Sequence, residues 1–328
     1  MSAADVIDRV LEALLVPSFS RVGIALRRRL DHWQTGAPGA LEGKVFVVTG
    51  ATSGIGRATA VALVRQGATV EIVARDTTKA AVVCETLRGA AQAGHVSWVQ
   101  ADLSDLSSVR TAAVVLLERH DRLHGLVHNA GALDASYAAT SEGIEHTAAS
   151  QVVGPFLFTS LLESALRAGS GRIVWVSSGG MYSQPLSVAD LDPAPADYDG
   201  TKAYARAKRA QVVLAEMWAE RLLGSGVVVH AMHPGWADTP GVARSLPRFR
   251  RIMGPLLRDA QEGADTIVWL LTDDHAPRET TGRFWLDRRP RSTHRLRSTR
   301  RRDTPEERTR LWQWCNEHAS LDLAVPGD

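Results

Sequence analysis

Between about residue 44 and residue 287, short apolar runs rich in β-branched residues alternate with longer Ala- and Leu-rich segments. The short runs cover 44–49, 69–74, 96–100, 125–128, 172–177, 227–232 and 283–286. They lack strict polar–apolar alternation, as strands buried on both faces should. The intervening segments are long enough for helices, and several stop at a glycine (Gly67, Gly169, Gly224). Strands alternating with helices imply crossover connections. The pattern therefore predicts an α/β domain over residues 43–287: three layers, doubly wound, with a mostly seven-stranded parallel sheet.

Two helical extensions flank that domain. In residues 1–42, Val6, Ile7, Val10, Leu11, Leu14 and Leu15 fall on one helical face. Pro17 is expected to end that helix, and Gly36-Ala37-Pro38-Gly39 reads as a linker. In residues 288–328, Thr304 with Glu307 three positions on predicts a capping box opening a last helix, which carries Leu311, Trp312 and Trp314.

Charge adds to this picture only through its distribution. The net charge is +2, yet eight arginines and no acid stand between Arg288 and Arg302, and Arg27-Arg28-Arg29 forms a second basic run. The expected role of the arginines is a solvated arm. The alternative is that they join the amphipathic N-terminus in peripheral contact with an anionic membrane. Nucleic acid is not expected as a partner, because no aromatics interleave the arginines to stack on bases. No apolar stretch reaches the roughly 18 residues of a membrane span, and no signal peptide is recognisable at the start. The two cysteines, Cys84 and Cys315, lie far apart and form no metal-ligand spacing, so no metal is expected. A cytoplasmic location is the expectation.

The strongest chemical signal is Thr49-Gly50-Ala51-Thr52-Ser53-Gly54-Ile55-Gly56, directly after the first strand and opening a helix. A pyrophosphate needs N–H groups it can approach closely and the positive end of a helix dipole; glycines supply the turn and the room. This places a dinucleotide on a Rossmann-type fold. The second strand ends Ala74-Arg75-Asp76. An arginine there can pair with a 2′-phosphate, which favours NADP, with NAD as the alternative. Asp76 would either cap the next helix or bind a hydroxyl. Asp102 and Leu103, after the third strand, would sit under the adenine, though Asp102 could equally cap the next helix.

Two Tyr-x3-Lys pairs occur. Tyr198 and Lys202 enclose Asp199-Gly200, a turn signal, whereas Tyr204 and Lys208 lie in an uninterrupted helix former. Four residues apart, they share a face, and an ammonium there would lower the phenol's pKa towards working pH. Ser177-Ser178-Gly179 and His233-Pro234-Gly235, with Thr239 beyond, end strands at the sheet's carboxyl edge, where ligands bind.

These pieces together resemble the short-chain dehydrogenases/reductases over about residues 43–287. The matching parts are the glycine loop, His128-Asn129-Ala130-Gly131, Ser178, Tyr204-x3-Lys208 and Pro234-Gly235 with Thr239. The runs 177–181, 233–242, 263–266 and 283–288 narrow the resemblance to one subgroup. It implies that Ser178 orients a substrate carbonyl and Tyr204 is the acid/base. It also implies that Lys208 binds the nicotinamide ribose and Asn129 braces the fourth strand. Thr239 and the backbone after Pro234 would hold the carboxamide. One departure matters: Gln151 stands where the family usually has an asparagine anchoring a proton-relay water, and it is expected to keep a slower or rerouted relay. The long Tyr182–Tyr198 segment should form a loop beside the pocket.

The expected function is an NAD(P)-dependent oxidoreductase acting on a small, apolar carbonyl or alcohol. The alternative, motivated by Gln151, is an NADP-binding regulatory or scaffold protein with little turnover. The resemblance also implies a homo-oligomer, with the Ala-, Val- and Leu-rich face of 204–223 as a candidate dimer surface.

Overall fold

Stiff β-branched side chains fit a pleated, buried surface, and all seven expected runs are strands with ends within one residue of expectation. They are β1 (Val45–Thr49), β2 (Thr69–Ala74), β3 (His95–Gln100), β4 (Gly125–His128), β5 (Arg172–Val176), β6 (Val228–Met232) and β7 (Arg283–Leu286). All seven pair in parallel. An eighth, β8 (Arg289–Arg291), runs antiparallel to β7. The order is β3-β2-β1-β4-β5-β6-β7-β8, which reverses direction between β1 and β4. This computed structural model describes residues 3–34, 36–90 and 94–327. β8 escaped the sequence reading because Arg-Pro-Arg has no strand pattern; proline is tolerated there because the strand lies at the edge. A two-residue turn, Asp287-Arg288, joins it to β7 with both φ positive (53° and 56°), as tight hairpins require.

The helices, in chain order, are α1 (Ala3–Ala13), α2 (Leu15–Phe19), α3 (Arg21–Leu30), α4 (Gly54–Arg65), α5 (Thr77–Ala90), α6 (Leu106–Arg119), α7 (His146–Ala148), α8 (Gly154–Ala168), α9 (Gly200–Arg221), α10 (Pro240–Ser245), α11 (Pro247–Met253), α12 (Ala260–Thr272), α13 (Arg297–Arg301) and α14 (Pro305–Ala319). One sheet face buries Leu63 and Val64 of α4, Cys84 and Leu87 of α5, and Ile267 and Leu270 of α12. The other buries side chains of α6, α8 and α9.

Both extensions differ in detail from expectation. α1 ends at Ala13, before Pro17, which sits inside α2. There its missing N–H belongs to the first turn, where no intrahelical partner exists anyway. The arginine stretch is not a solvated arm in its first half. Arg289 pairs with Asp31 at 2.7 Å, Arg291 with Asp8 at 2.7 Å, and Arg295 with Glu12. Arg27, from the other basic run, is fully buried between Asp8 and Asp287 at 2.7 and 2.6 Å. Acids at positions 5, 8 and 12 form one stripe of α1, and that stripe is what the arginines bind.

At the far end, Thr304 accepts from the Glu307 N–H, but the Glu307 carboxylate accepts from Val188 N at 2.7 Å. The reciprocal half of the expected box is absent; a complete one opens α12 at Asp259 and Glu262. Leu311, Trp312 and Cys315 of α14 are buried, while Trp314 lies against His318. Trp312 packs on Phe156 and Trp218 at ring distances of 4.9 and 5.1 Å. The α9 residues that the resemblance offers to a second subunit thus include Trp218, here covered by this chain's own last helix.

Candidate active site

The glycine loop leaves β1 with Gly50 at φ 67°, and α4 starts at Gly54 with φ 54°. A Cβ on Gly50 would meet Ala130 Cα at 2.8 Å, and one on Gly56 would meet Asn129 Nδ2 at 2.4 Å. Only glycine allows loop and β4 to approach this closely. Ser53 precedes the helix without capping it through its side chain, so the first N–H groups of α4 remain available to an anion. Ile55 packs against Gly263 of α12, and Thr239 Cγ2 lies 3.4 Å from where a Gly54 Cβ would stand. Thr52 lies in the same loop.

At the ends of β2 and β3, Asp76 accepts from Lys79 N at 2.9 Å, which makes it a helix cap and not a free hydroxyl ligand. Asp105 caps α6 by accepting from Ser107 N and Ser108 N. Asp102 is therefore not the cap of that helix. Its Oδ1 accepts from Ser104 Oγ at 2.7 Å, and Arg75 stands 3.7 Å away. Burial raises the Asp102 pKa, but the Ser104 hydrogen bonds and Arg75 outweigh that and hold it below the usual value. The Arg75 side chain is 71% exposed. Leu103 is buried, its carbonyl against Gly154.

After β4, Asn129 Nδ2 donates to the Thr49 carbonyl at 2.9 Å, and Asn129 N and Ala130 N donate to Thr49 Oγ1 at 3.0 Å each. These bonds, with a further one from Asn129 Nδ2 to the Gly50 carbonyl at 3.3 Å, tie the end of β4 to the start of the glycine loop. A Cβ on Gly131 would lie 3.0 Å from Gln151 Oε1 and 3.1 Å from Lys208 Nζ. Gln151 Nε2 donates to the Ala132 carbonyl at 2.6 Å, while its buried Oε1 has no partner among the described residues.

Gln151 lies in a π-helical turn, Ala149–Val153, between α7 and α8. An α-helical bond to its main-chain carbonyl would come from residue 155, which is a proline and has no N–H. Gln211 Nε2 donates to that carbonyl instead, at 2.7 Å, and Gln211 Oε1 accepts from Lys208 Nζ at 3.0 Å. Gln211 was missed in the sequence, although its place three residues after Lys208 puts it on the same helical face.

Asp199 caps α9, so Tyr198 lies outside the helix and donates to the Asp134 carbonyl. Tyr204 and Lys208 share the helix, with Lys208 Nζ 5.4 Å from the Tyr204 ring centre. Lys208 Nζ also donates to the Val176 carbonyl at 2.9 Å. Burial pushes its pKa down to about 7. Burial likewise pushes the Tyr204 phenol above its ordinary value, opposed only by a hydrogen bond with Ser178. The expected lowering of the phenol by a neighbouring ammonium is absent here, because the same burial that raises the phenol disfavours the ammonium. Ser178 caps the 3-10 turn Gly179–Ser183.

On the next strand end, the Pro234 carbonyl accepts from Arg258 at 3.0 Å, and Gly235 turns with φ 72°. Thr239 caps α10. Phe19 of α2 closes this side: its carbonyl accepts from Trp236 N at 2.8 Å, and its ring lies on His233 at 4.5 Å. The segment after Ser178 is a string of 3-10 turns, and Tyr182 is not free for a pocket; its hydroxyl donates to the Ser292 carbonyl.

A glycine cradle a Cβ would fill, free helix N–H groups and an unpartnered buried amide oxygen beside Lys208 all fit a nicotinamide dinucleotide. A family model described as short chain dehydrogenase matches residues 44–248. The chain belongs to the short-chain dehydrogenases/reductases. It is 39% identical to dehydrogenase/reductase SDR family member 12 from Homo sapiens, over 77% of this chain and 80% of that protein. That protein gives its name to the subgroup the sequence runs resemble. With Homo sapiens retinol dehydrogenase 13 the identity is 34%, covering 70% of this chain and 68% of that one. Among solved structures, the Pseudomonas aeruginosa RhlG/NADP active-site complex is 25% identical, with a TM-score of 0.61, covering 76% of this chain and 96% of that one. Short-chain dehydrogenases/reductases bind NAD(P), act on small molecules and commonly oligomerise.

Proposed function

We propose that this short-chain dehydrogenase/reductase is an NADP-preferring carbonyl reductase or alcohol dehydrogenase for a small apolar substrate. The observation that carries the reading is the convergence of Ser178, Tyr204 and Lys208 beside Gly131, at the carboxyl edge of the sheet. A bound nicotinamide supplies the hydride. Tyr204 gives its proton to the carbonyl oxygen, which Ser178 orients. Lys208 holds the nicotinamide ribose, Asn129 keeps the loop and β4 in register, and Thr239 with the backbone after Pro234 receives the carboxamide. Arg75 is the 2′-phosphate ligand: it is exposed, and Asp76, the acid that would favour a free ribose, is engaged as a cap. An apolar substrate is supported by the retinol dehydrogenase relative and by the Trp236–Phe249 ring pair (5.3 Å) next to Gly235.

Titrating the protein with NADPH and NADH tests this. NADPH should bind more tightly, and Arg75→Ala should weaken NADPH by about tenfold or more, the worth of a charge-assisted hydrogen bond, with NADH unaffected. Binding of neither nucleotide removes the enzymatic reading. Binding without turnover across a carbonyl panel favours the regulatory alternative.

Gln211 is assigned a positioning role: its Oε1 accepts from Lys208 Nζ and its Nε2 donates to the Gln151 carbonyl, so the amide fixes the amine against the π-helical turn. Gln211→Leu is expected to slow turnover about tenfold, the worth of one buried hydrogen bond, and to displace its pH profile. Gln151→Asn keeps the carbonyl and should alter both much less. An unmoved profile in Gln211→Leu defeats the positioning role.

A further inference from the structure

The N-terminal helices are amphipathic in the inverted sense. The acid stripe of α1 points into the protein, and Val6, Val10 and Leu14 point out, with 46, 57 and 53% of their surface exposed. Leu15 and Val16 continue this apolar surface into α2, and Val22 carries it onto α3. Between residues 3 and 34 the acids are Asp5, Asp8, Glu12 and Asp31. Each is paired with an arginine of the C-terminal stretch: Asp5 and Asp31 with Arg289, Asp8 with Arg291, Glu12 with Arg295. The acids of these helices are thus neutralised by arginines, even where, as at Asp5, the side chain keeps 44% exposure. Arg9, Arg21 and Arg29 are exposed and make no ion pair with the described residues. Arg9, Glu12 and Ala13 of α1 line a cavity of about 300 Å³ together with Arg291, Ser292 and Arg295.

We propose that α1 and α2 dock this face onto an anionic lipid bilayer, lying in the plane of the headgroup–acyl boundary. An apolar stripe edged by arginines, with the neighbouring carboxylates paired to arginines, matches that surface in both hydrophobicity and sign. A second copy of the same face fits worse: two-fold contact would bring two arginine-edged faces together with no unpaired acid on either to offset them. No helix among the described residues is long and apolar enough to cross a membrane, so the contact is peripheral. It is also anchored to the site. A Cβ on Gly179, one residue after Ser178, would meet the Phe19 ring at 2.8 Å, and Phe19 closes α2. The docked face therefore backs directly onto the turn that carries Ser178, where a substrate dissolved in the bilayer would arrive. The docking itself does not depend on the reductase reading.

The test is co-sedimentation of the full chain with phosphatidylcholine vesicles, with and without one fifth phosphatidylserine, at low and at physiological salt. Binding is expected to the anionic vesicles, weakening as salt rises. Val10→Asp with Leu14→Asp should abolish it, and each of Arg9→Glu and Arg21→Glu should weaken it by roughly fivefold or more, the worth of one arginine near an anionic surface. These side chains are exposed, so NADPH affinity and the thermal midpoint serve as controls and should not move. The proposal is overturned by no sedimentation with anionic vesicles at low salt, by equal binding to both compositions, or by a dimer that Val10→Asp splits. Loss of NADPH binding with vesicle binding intact would instead overturn the reductase reading and leave the docking standing.

Discussion

Replacing Asp287 by asparagine should lower the unfolding free energy by about 3–5 kcal/mol, the usual cost of removing one partner from a buried ion pair. Asp287 is fully buried, and its carboxylate accepts from Arg27 Nη1 at 2.6 Å and from Arg258 Nη1 and Nη2 at 2.6 and 2.9 Å. Both guanidiniums are buried too. Arg27 would keep Asp8, but Arg258 would keep only neutral acceptors: the carbonyls of Ser18, Ser20 and Pro234. Asparagine is the informative replacement because it tolerates the left-handed backbone of this turn almost as well as aspartate. Its effect therefore reports the charge and not the turn. The midpoint and slope of urea unfolding give the number. Adding Arg258→Met should recover part of the loss, since the orphaned cation goes with it. A loss under about 1 kcal/mol, well below the buried-pair range, would mean that the triad does not hold the N-terminal helices. Arg258 also supports the Pro234 carbonyl, so nucleotide affinity should fall alongside stability.

That triad was the least legible part of the sequence. Arg27-Arg28-Arg29 read as a surface run, yet successive helical positions are about 100° apart, and the structure buries Arg27 while Arg28 and Arg29 are exposed. Arg27 and Asp287 are 260 residues apart, and no local pattern relates them. The apolar face of α1 was legible, but its direction was not: periodicity identifies two faces without saying which one the fold binds. The sheet was read well because buried parallel strands declare themselves as apolar runs. Asp199-Gly200 read as a turn signal, and in the structure Asp199 caps α9, which leaves Tyr198 outside the helix that carries Tyr204 and Lys208. Within the site, residue types were legible and energetics were not. Pro155 frees the Gln151 carbonyl and Gln211 takes it up, and both residues stand plainly in the chain. Relating them needed the knowledge that α9 crosses the π-helical turn. The phenol was expected to be lowered because Lys208 was assumed charged, and burial of the amine cannot be counted from spacing.

Tyr204→Phe is expected to cut carbonyl reduction by about 10²–10⁴-fold, the range for one general acid, with NADPH binding nearly unchanged. The substitution removes one hydroxyl and no volume the fold relies on, so the thermal midpoint should stay close to wild type. If Tyr204→Phe keeps more than a tenth of the activity, another group carries the proton. The pH dependence sharpens the test. Because burial raises the phenol above its ordinary value, Tyr204 stays protonated through neutral pH and can act as an acid throughout. Lys208 is the group that titrates, at about 7, and it is cationic below that value. The rate per unit of free enzyme should therefore fall as pH rises from 6 to 8, as the ammonium that holds the ribose is lost. Stability should move the other way. Unfolding returns Lys208 to its ordinary pKa of 10.5, so between about 7 and 10.5 the unfolded chain binds the extra proton, and this group's contribution to stability grows with pH. Opposed slopes for rate and stability would trace both to Lys208. A rate flat from pH 6 to 8 would mean that its amine stays charged in the working enzyme.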